Sequence, residues 1–229
     1  MNSRIDDEKL EFQAVENFSP GRRGPVILQT SDHSSRDIRM MTWGLIPRFA
    51  SKTQKPDHFF MFNCRVETIN EKISFKSLLQ RGQRCVVVHN GFYEWAVEAK
   101  EKQPYYIYDP SGEPLRFAAL YDEFENADGE TLETYTILTS PSCTKINFLH
   151  HRQPIRLLND REIDVWLNPA SELEQELMPL VREWSTELNY ESLSDRYLQL
   201  FISHLLPFRD LTFETTITSD ISTTKSLQE

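Results

Sequence analysis

From Asn63 to Trp95 the chain runs Asn63-Cys64-Arg65-Val66-Glu67-Thr68, then Ser74 to Arg81 closed by Gly82. It ends on Arg84-Cys85-Val86-Val87-Val88-His89-Asn90-Gly91-Phe92-Tyr93-Glu94-Trp95. Cys85 to Val88 is short and continuously apolar, Asn90-Gly91 is a strong turn signal, and Phe92 to Trp95 is aromatic enough to resume as a strand. Glu94 therefore lies inside a strand. On a two-residue side-chain period Phe92 and Glu94 share one face and Tyr93 and Trp95 the other, which puts a carboxylate among rings. Burial there raises a carboxyl's pKa towards the range of a general acid or base. A buried carboxylate tied to an arginine fits the same residues, and both readings stand at this point.

Outward from this stretch the pattern stays strand-rich. Pro25 to Gln29, Met40 to Ile46, Tyr105 to Tyr108, Leu115 to Tyr121, Thr134 to Thr139, Ile155 to Leu158 and Leu211 to Thr218 read as strands between turns of Pro, Gly, Asn and Asp. Ser74 to Arg81 reads as a short helix. Ser171-x-x-Glu174 is a capping-box signature ahead of an apolar helical stripe to Trp184, and a second amphipathic helix is expected near Ser192 to Leu205. The fold class is α+β: one strand-rich, mostly antiparallel domain over residues 1–218 with peripheral helices, and a tail over 219–229.

Length and charge narrow the function. At 229 residues one large domain with a proper core is expected, and no run approaches the roughly 18 apolar residues of a membrane span. The polar, acidic opening is no signal peptide, which places the chain in the nucleus or cytoplasm. Three cysteines without a Cys-x-x-Cys pair indicate neither a disulfide framework nor a zinc site. The net charge is −10, yet residues 22–84 hold 12 Lys and Arg against 5 Asp and Glu. Arg22, Arg23, Arg39, Arg48, Lys52, Lys55, Arg65, Lys76, Arg81 and Arg84 are among these cations. A local phosphate-binding surface and a merely solvated basic face both fit that count.

Two further groups are Trp43-Gly44-Leu45-Ile46-Pro47 and Leu149-His150-His151-Arg152-Gln153-Pro154. On extended backbone His150 and His151 point to opposite sides, a poor metal pair, so that one of them can face a pocket. Taken with Asn63-Cys64-Arg65, Glu67-Thr68, Arg84-Cys85-Val86-Val87, Gly91 to Trp95 and Gln103-Pro104-Tyr105, these motifs resemble the SRAP family. Its members are SOS-response-associated peptidases or abasic-site-processing proteins, and the spacing resembles the eukaryotic branch.

The resemblance implies a monomeric protein that binds single-stranded DNA at abasic sites, with no metal and no cofactor. In that family a cysteine at position two bonds to the ring-opened aldehyde, amine and thiol closing a thiazolidine. The matched residues assign Asn63 to the neighbourhood of that terminus, Glu94 to proton shuttling, and His150 to the sugar during ring-opening and Schiff-base chemistry. Arg4, Trp43, Arg65 and Arg84 are assigned to DNA, Arg65 gripping phosphate with two donors. Position two here is Asn2, whose amide is no such nucleophile. Thr42 and Gln153 also depart from the family's usual Arg and Met. The expectation is therefore a protein with impaired cross-linking, peptidase-like or lyase chemistry, or alternatively a pseudoenzyme serving as a DNA-binding or scaffold module. An unrelated hydrolase reusing Glu94 and His150 is disfavoured, since no nucleophile motif stands beside them.

Overall fold

The computed structural model describes residues 17–30, 35–98, 101–172, 176–178 and 188–193. Asn2, Arg4, the predicted strand at 211–218, the tail at 219–229 and most of both late helices lie outside these residues. Strand β1 (Arg23–Gln29) pairs antiparallel with β2 (Arg36–Trp43) and with β4 (Arg84–His89). Next β4 pairs with β7 (Leu115–Glu125), and β7 with β8 (Thr131–Pro141). The ring closes where β8 meets β2 in parallel, at Thr42↔Thr134 and Trp43↔Tyr135. Two three-residue strands extend it along β8: β3 (Asn63–Arg65), parallel, and β9 (Arg152–Pro154), antiparallel.

Side-chain alternation explains why β4 reads as unbroken apolar sequence. Cys85 and Val87 point into the ring with Val26, Met41, Phe117, Ala119 and Ile137. Val86 points outward with Ala118, Leu120 and Leu138, beneath Phe75 and Leu78 of α1 (Ile73–Gln80) and Ile163 and Trp166 of α2 (Asp160–Leu167). Both faces are covered, so both parities must be apolar. Helix α2 starts where the Asn159 side chain accepts from the Glu162 N–H, a cap the sequence reading passed over.

After the turn at Asn90, β5 (Gly91–Glu98) resumes as expected but leaves the ring and pairs with β6 (Glu101–Tyr108), which pairs with β10 (Asn189–Ser192) in a separate three-stranded sheet. Gly91 is required by close approach, because a Cβ there would lie 2.4 Å from Tyr106 Cζ and 2.6 Å from Ile107 O. Ser192 ends a strand rather than beginning a helix. The strand expected at Ile155 to Leu158 falls instead at Arg152–Pro154, with one isolated bridge at Arg156. Among the described residues no helix is long and apolar enough to cross a membrane.

Candidate functional site

The second sheet carries the acidic group. On its inner face Phe92 packs edge-on against Phe117 of the ring, with ring centroids 5.9 Å apart, and Ala96 joins Ile107, Cys143, Ile146 and Leu149 in an apolar cluster. Glu94 stands between them, its side chain 25% exposed. Tyr93 and Trp95 occupy the opposite face, Tyr93 beside Tyr106, as the two-residue period requires. Burial raises the Glu94 pKa, an effect that a positive His150 and a backbone hydrogen bond partly oppose.

His150 arrives on the loop that covers this face. Cys143 N donates to Gln153 Oε1 (2.8 Å) and Ser142 N to His151 O (3.0 Å), tying the loop at its base. His150 Nδ1 then lies 3.9 Å from Glu94 Oε1, an approach longer than a hydrogen bond. Among the described residues Glu94 makes its ion pair with His150 and none with an arginine.

Asn63 and Arg65 sit on the same exposed face of β3, with Cys64 buried between them. They join the same end of β8 as His150 does, because Thr139 pairs with Arg65 on one edge and with Pro154 of β9 on the other. Arg65 makes no ion pair among the described residues. Its neighbourhood is braced by Arg152, whose guanidinium grips both oxygens of Glu67 (2.5 and 2.9 Å) and donates to Thr139 O (2.6 Å). Glu67 and Arg152 went unassigned in the sequence; two motif residues of opposite charge were the signal that could have joined them.

One expected DNA contact is placed away from the surface. Arg84 is buried, with its guanidinium donating to the backbone oxygens of Leu79, Trp166, Asn168 and Ser171, so it ties helices together and cannot reach phosphate. Trp43 is half-buried, and its indole N–H donates to Phe62 O (2.9 Å), which holds the backbone just before Asn63. The basic segment is also partly neutralised. Arg39, Arg48, Lys52 and Arg81 pair with carboxylates, whereas Arg22, Lys55, Arg65 and Lys76 make no ion pair among the described residues.

All three cysteines are free and buried, and burial pushes the Cys64 thiol up to about 12 and that of Cys85 higher still. Among the described residues no group of three or more His, Cys, Asp or Glu is placed to hold a metal ion.

Known proteins resemble this chain in sequence and in fold. An abasic site processing protein, HMCES, of Gallus gallus is 36% identical over 192 residues, covering 72% of this chain and 57% of that protein. The chain thus spans little more than half the length of that animal relative. The abasic site processing protein YoaM of Bacillus subtilis is 34% identical over 164 residues, covering 71% of this chain and 70% of its own. A crystal structure of a Bacteroides thetaiotaomicron protein superposes with a TM-score of 0.68 at 29% identity, over 78% of this chain and 77% of that one. The family model for SOS response associated peptidase (SRAP) matches residues 1–197. On this match and these relatives, the chain belongs to the SRAP family.

Proposed function

We propose that this chain acts as a monomer on abasic sites in single-stranded DNA, holding the lesion without closing the stable ring that gives a persistent cross-link. The observation that carries the reading is the approach of Glu94 and His150, joined through β8 and β9 to the exposed pair Asn63 and Arg65. Arg65 supplies a cation with no carboxylate partner among the described residues, suited to a phosphate. Glu94, with its raised pKa, retains a proton closer to neutrality than an ordinary carboxyl. It can protonate the hydroxyl that departs as water when an amine condenses with the sugar aldehyde.

The resulting imine is reversible. Closing it into a thiazolidine needs a thiol adding to the imine carbon, and Asn2 brings none. Cys64, Cys85 and Cys143 are no substitutes, being buried, and the first two are further disarmed by raised pKa values. A denaturing gel with an abasic oligonucleotide tests this. The unaltered chain should show a band only after borohydride reduction, while an Asn2→Cys variant with Met1 removed should show a heat-stable one. A heat-stable band from the unaltered chain would overturn the reading.

A second reading, a pure DNA-shielding module, is favoured by the same missing thiol. It predicts binding to abasic oligonucleotide with no band even after reduction.

A further inference from the structure

Resting on the reading of Glu94 and His150 as the working pair, we propose that Glu67 is a positioning residue for His150, acting through Arg152 to leave Nε2 as the nitrogen offered to substrate. The Nδ1 atom of His150 lies 3.2 Å from the backbone N and 3.2 Å from the backbone O of Arg152. In one tautomer Nδ1 accepts the Arg152 N–H; in the other it donates to the Arg152 carbonyl. Residue 152 engages Nδ1 in both cases. Glu94 approaches the same nitrogen at 3.9 Å, so the polar contacts of the ring among the described residues converge on Nδ1, while the His151 ring stands against it with centroids 4.4 Å apart.

The imidazole is then aimed by the backbone of residue 152, and that backbone needs its own anchor. Strand β9 is three residues long and among the described residues pairs only with the last residues of β8, at Pro141↔Arg152, Ser140↔Gln153 and Thr139↔Pro154. The Arg152 side chain adds the brace. Its Nη1 donates to Glu67 Oε1, and its Nη2 to Glu67 Oε2, Thr139 O and Thr139 Oγ1. Glu67 supplies two of these four acceptors from the single turn of 3₁₀ helix, Val66–Thr68, that follows β3. Among the described residues the buried Nε of Arg152 has no hydrogen-bond partner, so there the head group has no other tether on that edge. The Arg152 hydrogen bond holds the Glu67 carboxyl below its ordinary range, so the brace stays charged around neutral pH.

The bond pattern makes Glu67 matter to one histidine in particular. Removing its charge should free the Arg152 head and let the His150 ring turn between Glu94 and residue 152, while the apolar clusters stay intact. Glu67 is itself exposed and outside the apolar clusters.

The experiment is a nitrogen-15 spectrum of the histidine rings at neutral pH in the full chain without DNA, for the parent, Glu67→Gln and Glu67→Asp. Expected in Glu67→Gln are displaced Nδ1 and Nε2 signals of His150, with His89, enclosed near Phe18 and Phe117, unmoved and the urea midpoint retained. Glu67→Asp, which keeps the charge, should restore the His150 signals in part. Unchanged His150 signals in Glu67→Gln would overturn the proposal. So would displacement of His89 together with a lowered midpoint, since that marks a general structural loss. The readout involves no oligonucleotide, so failure of the abasic-site reading, seen as no preference for abasic over intact strands, is recorded separately.

Discussion

The closed ring and the small sheet treat charge in opposite ways. In the ring and its helices the buried charges of Asp122 and Arg84 are held by several hydrogen bonds each. Asp122, 2% exposed, accepts from Arg48 and Arg81 side chains and from the Arg48 and Glu123 amides. Arg84, 4% exposed, spends its two terminal nitrogens on four carbonyls. In the small sheet, burial raises the Glu94 pKa, and among the described residues its carboxylate comes no nearer than 3.9 Å to its ion-pair partner, His150. Such a difference separates polar groups that stabilise the fold from one that is held ready to exchange a proton.

Arg84→Ala should break the comparison most visibly. It strands buried carbonyls at the ends of both helices and is expected to cost on the order of 3 kcal/mol. Urea denaturation measures it, and a loss under about 1 kcal/mol would mean the ring tolerates unmatched polar groups as well as the small sheet does. Gly91→Ala comes next, at about 1–3 kcal/mol, because the added carbon has to displace the Tyr106 ring or the Ile107 carbonyl. The same denaturation series would report it, and a neutral result would show that β5 can lift from β6 without penalty.

Arg65→Ala should leave the midpoint almost unmoved and weaken oligonucleotide binding. In anisotropy titrations over several salt concentrations the slope of log K against log salt should become shallower by about 0.7, the share of one phosphate on a single strand. An unchanged slope would remove Arg65 from the DNA face.

Glu94→Gln gives the smallest effect and the most specific one. The folded protein holds the Glu94 proton more tightly than the unfolded chain does. Stability contributed by that group is present below the unfolded carboxyl pKa and is lost as pH rises through the folded value. Glutamine has no proton to lose, so the variant should gain on the parent across that window and run parallel on either side. Parallel curves throughout would show that Glu94 is as well solvated as a surface carboxylate.

Much of this arrangement was legible in the sequence because it is local. Glu94 shares its face with Phe92 by strand period alone, and α1 is one residue from its predicted start at Ser74. What escaped depends on partners far along the chain. Asn90-Gly91 has hairpin chemistry, yet β5 finds β6 instead of β4 because the Cys85 to Val88 run is already claimed on both edges by β1 and β7. Arg84 looked like a surface cation among cations, and only the carbonyls of residues 166–171 reveal its burial. Glu67 and Arg152 stand 85 positions apart, and no periodicity connects them.

The pairing list of β8 also sets an order of assembly. Residues 131–141 supply partners to β7, β2, β3 and β9, and the contact that closes the ring joins Thr42 to Thr134. During synthesis the β1–β2 and β5–β6 hairpins can form as soon as each emerges. β3 has no strand to lie against until β8 follows it out of the ribosome, so the segment bearing Asn63 and Arg65 waits on the ring. A chain stalled before residue 131 therefore presents two hairpins and an open β2 edge, a species prone to pair with its neighbours.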